Sequence, residues 1–258
     1  MVQQLIPAHP DAPTAALTDE QLLELYRPAV DAHPFVRFNF VASADGAATS
    51  GGTSGPLGTE ADQRIFALLR RHADVVLVGA GTIRAEGYAG ELIDAEAQAW
   101  RRERAMPAHP GIAVVSGSLD LDPASSFFAE APVPLLVLTA SSADPGRRAA
   151  LERVAEVVTA GADHVEPRRA LDALTGRGHR VVHSEGGPSL FATFQEADAV
   201  DSLCLTTSPV LAGGAERRIA TGPAAGLHRR ELALLLEEDG ALFADYRRAH
   251  SGKSPATS

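Results

Sequence analysis

The sequence predicts an α/β fold in which a mostly parallel sheet is covered by helices on both faces. Short apolar runs alternate along the chain with charged segments of helical length. Two of these runs, 75–78 and 181–184, pass directly into glycine turns, Gly79-Ala80-Gly81 and Glu185-Gly186-Gly187. Glycine lets the backbone approach a ligand, and the helix that follows presents free N–H groups to an anion. Together the two junctions predict a parallel sheet that grips a dinucleotide pyrophosphate along its carboxyl edge.

Composition excludes several classes of function. The chain has 258 residues, 45% of them hydrophobic, which suffices for one large α/β domain with a sizeable core. A formal net charge of −10 argues against binding to nucleic acid. The single cysteine, Cys204, excludes an intrachain disulfide and a cysteine-based zinc cluster. Because Cys204 sits in an apolar run, we expect a buried, inert thiol.

The sequence shows no targeting or metal-binding signal. The apolar runs are too short and interrupted to cross a bilayer, and the N-terminus lacks a basic region followed by an apolar core. The nine histidines have no spacing typical of metal ligands. A Gly-x-Ser-x-Gly elbow and a Walker-type lysine loop are also missing. We therefore expect a cytoplasmic protein without a metal, whose partners include neither a membrane nor nucleic acid.

The first elements are predicted from capping signals and residue type. Residues 1–15 are rich in Pro and Ala and are predicted to be irregular. Thr18 and Gln21 form a capping box that predicts a short helix, which Pro28 ends. Aromatic and β-branched residues at 35–42 predict a strand.

A turn and a second helix follow this strand. The segment 43–46 is predicted to form a turn, and 47–58 a flexible, glycine-containing stretch. Thr59 to Asp62 form a second capping box, which opens a helix. Further apolar and amphipathic runs predict strands at 75–78, 112–115, 133–139, 157–158, 181–184, 203–211 and 241–247, and helices at 85–105, 147–155, 171–174 and around Phe191 and Phe194.

The first glycine turn matches a dinucleotide fingerprint only in part. Arg84 stands where a Rossmann motif needs its third glycine, and no acidic residue closes a second strand at the usual distance. A plain tight turn explains Gly79 and Gly81 as well as a phosphate site does. The Thr82 hydroxyl is well placed to hold an anion at a helix start.

The second glycine turn is more specific. Pro188 suits the first helical position, and Gly186 and Gly187 permit backbone geometries that other residues resist. Glu185 places a carboxylate at the carboxyl end of a strand, which favours a functional role over its alternative, capping of the next helix.

Three other positions keep two interpretations each. Ser116 ends a strand at the same edge, where it either reaches a ribose or its 2′-phosphate or forms a turn with self-satisfied serines. Helix capping is enough to explain Asp62, and a turn pair is enough to explain Asp45-Gly46.

Five motifs and one arginine occur in the order found in a known family. They are NFVASADG (39–46), Arg70, ADVVLVGAGT (73–82), EGGPSL (185–190), VDSL (200–203) and SPVLAGG (208–214). Over residues 34–247 the chain thus resembles the pyrimidine reductase family of riboflavin biosynthesis, the reductase half of the bifunctional deaminase–reductase. The resemblance implies a dihydrofolate reductase-like fold, a three-layer α/β/α sandwich around a mostly parallel sheet. It also implies NADPH as cofactor, a small-molecule pyrimidine or pterin substrate, and a homodimer.

The resemblance assigns expected roles to named residues. For cofactor binding they are Ala42, Ala44, Gly79, Gly81, Thr82, Glu86, Ser116, Gly186, Gly187, Pro188, Ser189 and Leu190. For substrate binding they are Asn39, Ser54, Arg70 and Glu185, and for catalysis Asp62, as the proton relay, and Glu185. We expect three parts in the chain: an extension with a short helix (1–33), the reductase domain (34–250) and a disordered tail (251–258).

One departure from the family concerns substrate recognition. The family carries a double-acidic, proline-containing segment and a basic residue after the first glycine turn, but here 84–92 lacks Asp-Asp-Pro and no arginine follows until Arg101. We therefore expect an NADPH-dependent reductase that transfers hydride to a ribosylaminopyrimidine phosphate or a related pyrimidine or pterin, with a shifted preference. The alternatives are a dihydrofolate reductase-type activity and a nucleotide-binding regulatory protein without turnover.

Overall fold

The computed structural model describes residues 1–6, 16–30, 33–222 and 226–249, so the expected tail at 251–258 lies outside the described residues. The described part contains a ten-stranded sheet in the order β1-β9-β10-β8-β2-β7-β3-β4-β5-β6. The strands are β1 (Gln3–Ile6), β2 (Phe35–Ser43), β3 (Val75–Gly79), β4 (Gly111–Val115), β5 (Leu135–Thr139), β6 (Glu156–Thr159), β7 (Val181–Ser184), β8 (Ser202–Ser208), β9 (Arg230–Glu238) and β10 (Ala241–Arg248). The helices are α1 (Asp19–Leu25), α2 (Glu60–His72), α3 (Ala80–Glu86), α4 (Ala95–Glu103), α5 (Ser126–Ala129), α6 (Pro145–Leu151), α7 (Pro167–Thr175) and α8 (Pro188–Glu196), with a 3₁₀ turn at Gly55–Leu57.

The predicted α/β fold with a mostly parallel sheet is confirmed. Every neighbouring pair from β8 to β6 in the sheet order runs parallel. The antiparallel pairs lie at one end of the sheet, where β1 pairs with β9, β9 with β10, and β10 with β8. Parallel strands need crossover connections, and the helices that provide these connections cover the sheet.

The central strands are buried on both faces because helices pack on each side. On β3, Val75 and Leu77 join the core formed with α7 and α8, where Phe191 and Phe194 pack. Val76 and Val78 point to the opposite face and join the core formed with α3, α5 and α6. A third cluster packs α1 and α2 on β9 and β10 and includes Cys204. The Cys204 thiol is buried, as predicted, and burial raises its pKa to about 12.

The structure corrects the prediction for the first residues of the chain. Residues 3–6 were expected to be irregular, yet they form β1 and pair antiparallel with β9. No strand was predicted at β9, because its segment RELALLLEE has no clean alternation of polar and apolar residues. Its pairing with β10 decides its conformation, since strand preference depends strongly on tertiary context.

The predicted helix at 85–105 is wrong as a single element. Gly87 adopts the left-handed conformation (φ 71°) and ends α3, which is a common way for helices to terminate. The next helix, α4, starts only after Asp94, whose side chain accepts a hydrogen bond from the Ala97 N–H at 2.7 Å. The segment 87–94 between them is therefore irregular and contributes to the cavity described below. No helix in the described residues is long and apolar enough to cross a membrane.

Candidate functional site

The two predicted glycine turns lie against each other. They meet because β3 and β7 are parallel neighbours, so their carboxyl ends share one edge of the sheet. The Gly79 N–H donates a hydrogen bond to the Gly186 carbonyl at 2.8 Å, and the Gly186–Gly187 peptide is cis.

Glycine is required at both positions of the second turn. A Cβ atom at Gly187 would lie 2.7 Å from the Thr82 Oγ1, and one at Gly186 would lie 2.9 Å from the Phe40 ring. Gly186 also has a positive φ of 87°, which other residues rarely adopt. The turn is thus packed so closely against Phe40 and Thr82 that a side chain at either position would force its neighbours to shift.

A cavity of about 420 Å³ opens beside this turn and brings together nine of the predicted site residues. These nine are Asn39, Ser54, Asp62, Arg70, Thr82, Glu86, Glu185, Gly187 and Pro188. The others do not line the cavity; they are Ala42, Ala44, Gly79, Gly81, Ser116, Gly186, Ser189 and Leu190. Of these, Leu190 is part of the core beneath α8, so only its backbone is available to a ligand.

Glu185 is a buried carboxylate held by two partners. The Arg70 guanidinium donates to both of its oxygens, Nε to Oε1 at 2.5 Å and Nη2 to Oε2 at 2.8 Å. The Tyr88 hydroxyl donates to Oε2 at 2.5 Å. Burial alone would raise the pKa of Glu185, but the adjacent Arg70 charge outweighs this effect and holds it below its usual value. Glu185 is therefore ionised, and Arg70 is engaged with it.

His183 lies behind this pair at the centre of the sheet. Its Nε2 is 3.7 Å from Glu185 Oε1, and neither ring nitrogen has a hydrogen-bond partner. Complete burial lowers the pKa of His183 to about 3. The imidazole is consequently neutral and contributes no positive charge to the cavity.

Asp62 is the second carboxylate of interest, and its environment differs from that of Glu185. Thr59 caps α2 by accepting from the Asp62 N–H at 3.1 Å, but the predicted capping box is incomplete. The Asp62 side chain turns instead to β8, where its Oδ1 accepts from the Thr206 hydroxyl at 2.6 Å. Because burial disfavours the charged form, the pKa of Asp62 is raised above its usual value.

Two predicted residues that line the cavity, Ser54 and Glu86, form hydrogen bonds with each other. The Ser54 backbone N–H and hydroxyl donate to Glu86 Oε1 at 2.9 and 3.0 Å. This contact links the segment before the 3₁₀ turn to the end of α3. It also places another carboxylate on the cavity wall.

The turn at Asp45-Gly46 forms as predicted and has a second role. The Ser43 hydroxyl and the backbone N–H groups of Ala212 and Gly213 donate to the Asp45 carboxylate. These hydrogen bonds, led by that from Ser43, lower the pKa of Asp45 to about 2. The motif 208–214 is thereby attached to the motif 39–46, although nothing in the spacing of the two motifs indicates this contact.

Sequence reasoning missed Tyr88 and Thr206 as partners of the two carboxylates. Tyr88 stands in the segment that departs from the family pattern, and Thr206 lies within a strand, where a threonine is ordinary. Arg101, the next arginine after that segment, is fully buried and donates to the carbonyls of residues 71, 73 and 107. It thus stabilises the α4 connection and does not reach the cavity.

Comparisons with known proteins show which sequences and folds this chain resembles. The profile of the RibD C-terminal domain family matches residues 34–237. The 2,5-diamino-6-ribosylamino-4(3H)-pyrimidinone 5′-phosphate reductase of Methanothermobacter thermautotrophicus is 29% identical over 185 residues, 72% of this chain and 82% of that protein. The enzyme of the same name from Archaeoglobus fulgidus is 28% identical, over 70% of this chain and 83% of that protein. A pyrimidine reductase-like protein of Corynebacterium diphtheriae superposes with a TM-score of 0.79 at 25% identity, covering 91% of this chain and 100% of that one.

Proposed function

This chain belongs to the RibD C-terminal domain family, and from that premise we propose that it is an NADPH-dependent reductase of a small pyrimidine or pterin. The proposed reaction is hydride transfer to a ribosylaminopyrimidine phosphate or a related heterocycle, with a preference shifted from the riboflavin intermediate. The observation that carries this proposal is the contact between the two glycine turns, directly beside a cavity that contains Asp62 and Glu185.

The glycine turns fit a nicotinamide dinucleotide. The Phe40 ring and Thr82 Oγ1 pack against Gly186 and Gly187 so closely that a Cβ would collide, which places the Thr82 hydroxyl directly beside the turn. Pro188 begins α8, so the first-turn N–H groups of that helix are available to a pyrophosphate. We assign cofactor binding to this edge of the sheet, through Ala42, Ala44, Gly79, Gly81, Thr82, Glu86, Ser116 and 186–190. When bound, the reduced nicotinamide supplies the hydride.

Two arginines support NADPH over NADH. Ser116, at the end of β4, has a buried hydroxyl without a hydrogen-bond partner among the described residues. Just beyond it, Arg84 and Arg147 approach the Asp120 carboxylate at 3.6 and 3.7 Å, and Arg147 also donates to the Ser118 carbonyl at 3.2 Å. Guanidinium groups at this edge favour a ligand that carries a 2′-phosphate.

The two carboxylates have different proposed tasks. The Asp62 Oδ1 accepts the hydrogen bond from Thr206. Its Oδ2 lies beside Gly58, which also lines the cavity; a Cβ atom built on Gly58 would lie 3.1 Å from this oxygen. Burial raises the pKa of Asp62, which favours proton uptake, and we assign to its Oδ2 the relay of a proton to the substrate. Glu185 remains ionised and orients the substrate together with Arg70, Asn39 and Ser54.

We also propose a cytoplasmic homodimer. Leu211 is 79% exposed, and the adjacent Val210 accepts a hydrogen bond from the Ala44 N–H at 2.9 Å, so an exposed apolar segment adjoins the site. Sedimentation equilibrium of the purified chain tests this state, and a mass equal to the 26.9 kDa monomer at all concentrations would contradict it.

Calorimetric titration with NADPH and with NADH tests the proposal, followed by NADPH oxidation in the presence of candidate substrates. We expect NADPH to bind at least about tenfold more tightly than NADH, since charged hydrogen bonds contribute about 1.5–3 kcal/mol. Binding of neither would refute the reductase function. Binding without turnover of any pyrimidine or pterin would favour a regulatory protein, and turnover of the riboflavin intermediate at full rate would refute the shifted preference.

A further inference from the structure

We propose that Arg217 and Arg218, on the loop that follows β8, bind the phosphate of the substrate at the rim of the cavity. This inference rests on the proposed reductase function and specifies how that site recognises a phosphate ester. The juxtaposition that carries it is a pair of exposed arginines, without an ion-pair partner among the described residues, beside the cavity residues Ala48 and Thr49.

The loop 209–222 runs along the rim of the cavity after β8 ends. The Thr49 hydroxyl donates to the Glu216 carboxylate at 2.5 Å, and the Ala48 N–H donates to the Arg217 carbonyl at 2.7 Å. Ala48 and Thr49 both line the cavity. The backbone at position 217 is therefore in direct contact with the cavity wall.

The same loop is attached to the cavity wall a second time, just beyond the two arginines. The Thr221 N–H donates to the Pro188 carbonyl at 3.2 Å, and Pro188 lines the cavity. Between these contacts, Ile219 packs against the core that contains Phe191. Because the chain is fixed on both sides of positions 217 and 218, two long cationic side chains are held at the rim.

Both guanidinium groups are free to bind an anion. The side chains of Arg217 and Arg218 are exposed and make no hydrogen bond or ion pair with any other residue that the structure describes. The neighbouring Glu216 carboxylate accepts instead from Thr49. Guanidinium groups match a phosphate with parallel N–H donors, and two of them balance the almost two negative charges that a phosphate ester carries at neutral pH.

Other arginines of the site are engaged elsewhere. Arg70 lines the cavity, but its guanidinium donates to both oxygens of Glu185. If Arg70 turned to a phosphate, the buried Glu185 carboxylate would lose its charged partner. Arg84 lies 3.6 Å from the Asp120 carboxylate, and Arg101 is buried against backbone carbonyls. The pair on the loop is therefore better placed to meet a phosphate than these three arginines are.

The charges around the cavity separate the two ends of the substrate. Four acidic side chains line the wall, those of Asp62, Glu86, Glu91 and Glu185. Carboxylates accept hydrogen bonds from the amino and ring N–H groups of a pyrimidine, whereas they repel a phosphate. The heterocycle is thus bound among the acidic side chains, and the phosphate lies outside them, at the arginine pair on the rim.

The experiment compares two compounds that differ only in the phosphate. The probes are 2,5-diamino-6-ribosylamino-4(3H)-pyrimidinone 5′-phosphate and its product after treatment with alkaline phosphatase. Calorimetry measures the binding of each to the full chain and to the double variant Arg217→Ala/Arg218→Ala. We expect the double variant to bind the phosphorylated compound about 10–100-fold more weakly, because charged hydrogen bonds are lost, and the dephosphorylated one within about twofold of the wild type.

The matched control removes two other exposed arginines. Arg153→Ala/Arg229→Ala deletes the same charge just before β6 and β9, at the opposite edge of the sheet, and should bind both compounds like the wild type. The affinity of the Arg217→Ala/Arg218→Ala variant for NADPH should also be unchanged. An equal effect of the control, an equal loss of both compounds or an equal loss of NADPH binding would overturn the inference, and so would a wild type that binds neither compound.

NADPH oxidation separates this inference from the proposed function. The Arg217→Ala/Arg218→Ala variant should raise KM for the phosphorylated compound by about 10–100-fold with kcat little changed, since the lost contact does not take part in hydride transfer. Oxidation with neither compound, together with the expected loss of binding, would refute the reductase function while supporting the phosphate site. Turnover of the phosphorylated compound with an unchanged KM in the variant would support the reductase function and overturn the phosphate site.

A charge-preserving variant gives a second test. Arg217→Lys/Arg218→Lys keeps both positive charges but loses the planar fork of the guanidinium, so its affinity for the phosphorylated compound should lie between those of the wild type and the alanine variant. An affinity equal to that of the alanine variant would show that positive charge at the rim does not contribute, and it would overturn the inference.

Discussion

Asp62 and Glu185 are two carboxylates on one cavity wall whose surroundings shift their pKa values in opposite directions. Burial dominates at Asp62, where only the Thr206 hydroxyl opposes it. At Glu185 the effect of burial is outweighed by the Arg70 guanidinium. Environments that separate the pKa values of two acids in this way indicate which acid keeps its proton. Residue type could not distinguish them, since each partner lies far away in the sequence.

Asp62→Asn should lower kcat by roughly 10²-fold or more, because it removes the proposed proton donor. NADPH affinity should stay unchanged, since Asp62 is not among the proposed cofactor contacts. In the wild type, activity should fall as the pH rises through the raised pKa of Asp62, because the protonated form is the donor. Steady-state kinetics over a pH series measures both effects, and the same alkaline decline in the variant would contradict the assignment.

Gly187→Ala should weaken NADPH binding by about 10–100-fold. The added Cβ would lie 2.7 Å from Thr82 Oγ1, so the turn must shift at the proposed pyrophosphate site. Gly226→Ala adds the same methyl group where nothing lies within 4 Å, and it should bind NADPH like the wild type. Calorimetry measures the NADPH dissociation constant of each variant. Equal affinities for both variants would show that the turn does not contact the cofactor.

At the scale of elements, the site forms where α2, β7 and the segment 87–94 converge. Arg70 from α2 binds Glu185 at the end of β7, while Tyr88 and the Leu92 carbonyl complete the contact. The motifs predicted both glycine turns, because each consists of neighbouring residues. The path of 87–94 was not predictable, since it depends on where Gly87 ends one helix and Asp94 starts the next.

Arg70→Gln should lower the free energy of unfolding by about 3–5 kcal/mol, because it leaves the Glu185 carboxylate buried without its charged partner. The double variant Arg70→Gln/Glu185→Gln should recover much of this loss. As a matched control, Arg169→Gln breaks an exposed pair with Glu166 and should change stability by less than about 1 kcal/mol. Denaturant titration measures all three, and a double variant no more stable than Arg70→Gln would argue against a coupled pair.

For the whole molecule, buried neutral histidines make stability depend on pH. Burial lowers the pKa of His72 to about 4, well below its ordinary value. The unfolded chain therefore binds this proton at a higher pH than the native protein does. As the pH falls from about 6.5 to about 4, the free energy of unfolding must decrease.

His72→Gln should make this decline shallower by up to about 1.4 kcal/mol per pH unit. Glutamine cannot be protonated, yet it keeps a donor for the Leu23 carbonyl that lies 2.9 Å from His72 Nε2. The exposed His33→Gln should follow the wild-type curve. Thermal or denaturant unfolding across this pH window measures the free energy of unfolding. Parallel curves of this energy against pH for wild type and His72→Gln would show that His72 protonation does not contribute to the decline.

The alternation of strands and helices, the two glycine turns and the family follow from the amino-acid sequence alone, because these depend on local residue patterns. It also supplied both carboxylates and Arg70 as site residues. Three contacts become evident only in the folded chain: Glu185 pairs with Arg70 and Tyr88, Asp62 turns to Thr206, and Arg101 is buried against backbone carbonyls. These contacts join residues remote in sequence, and the burial that they produce, which no local pattern encodes, sets the charge of the cavity.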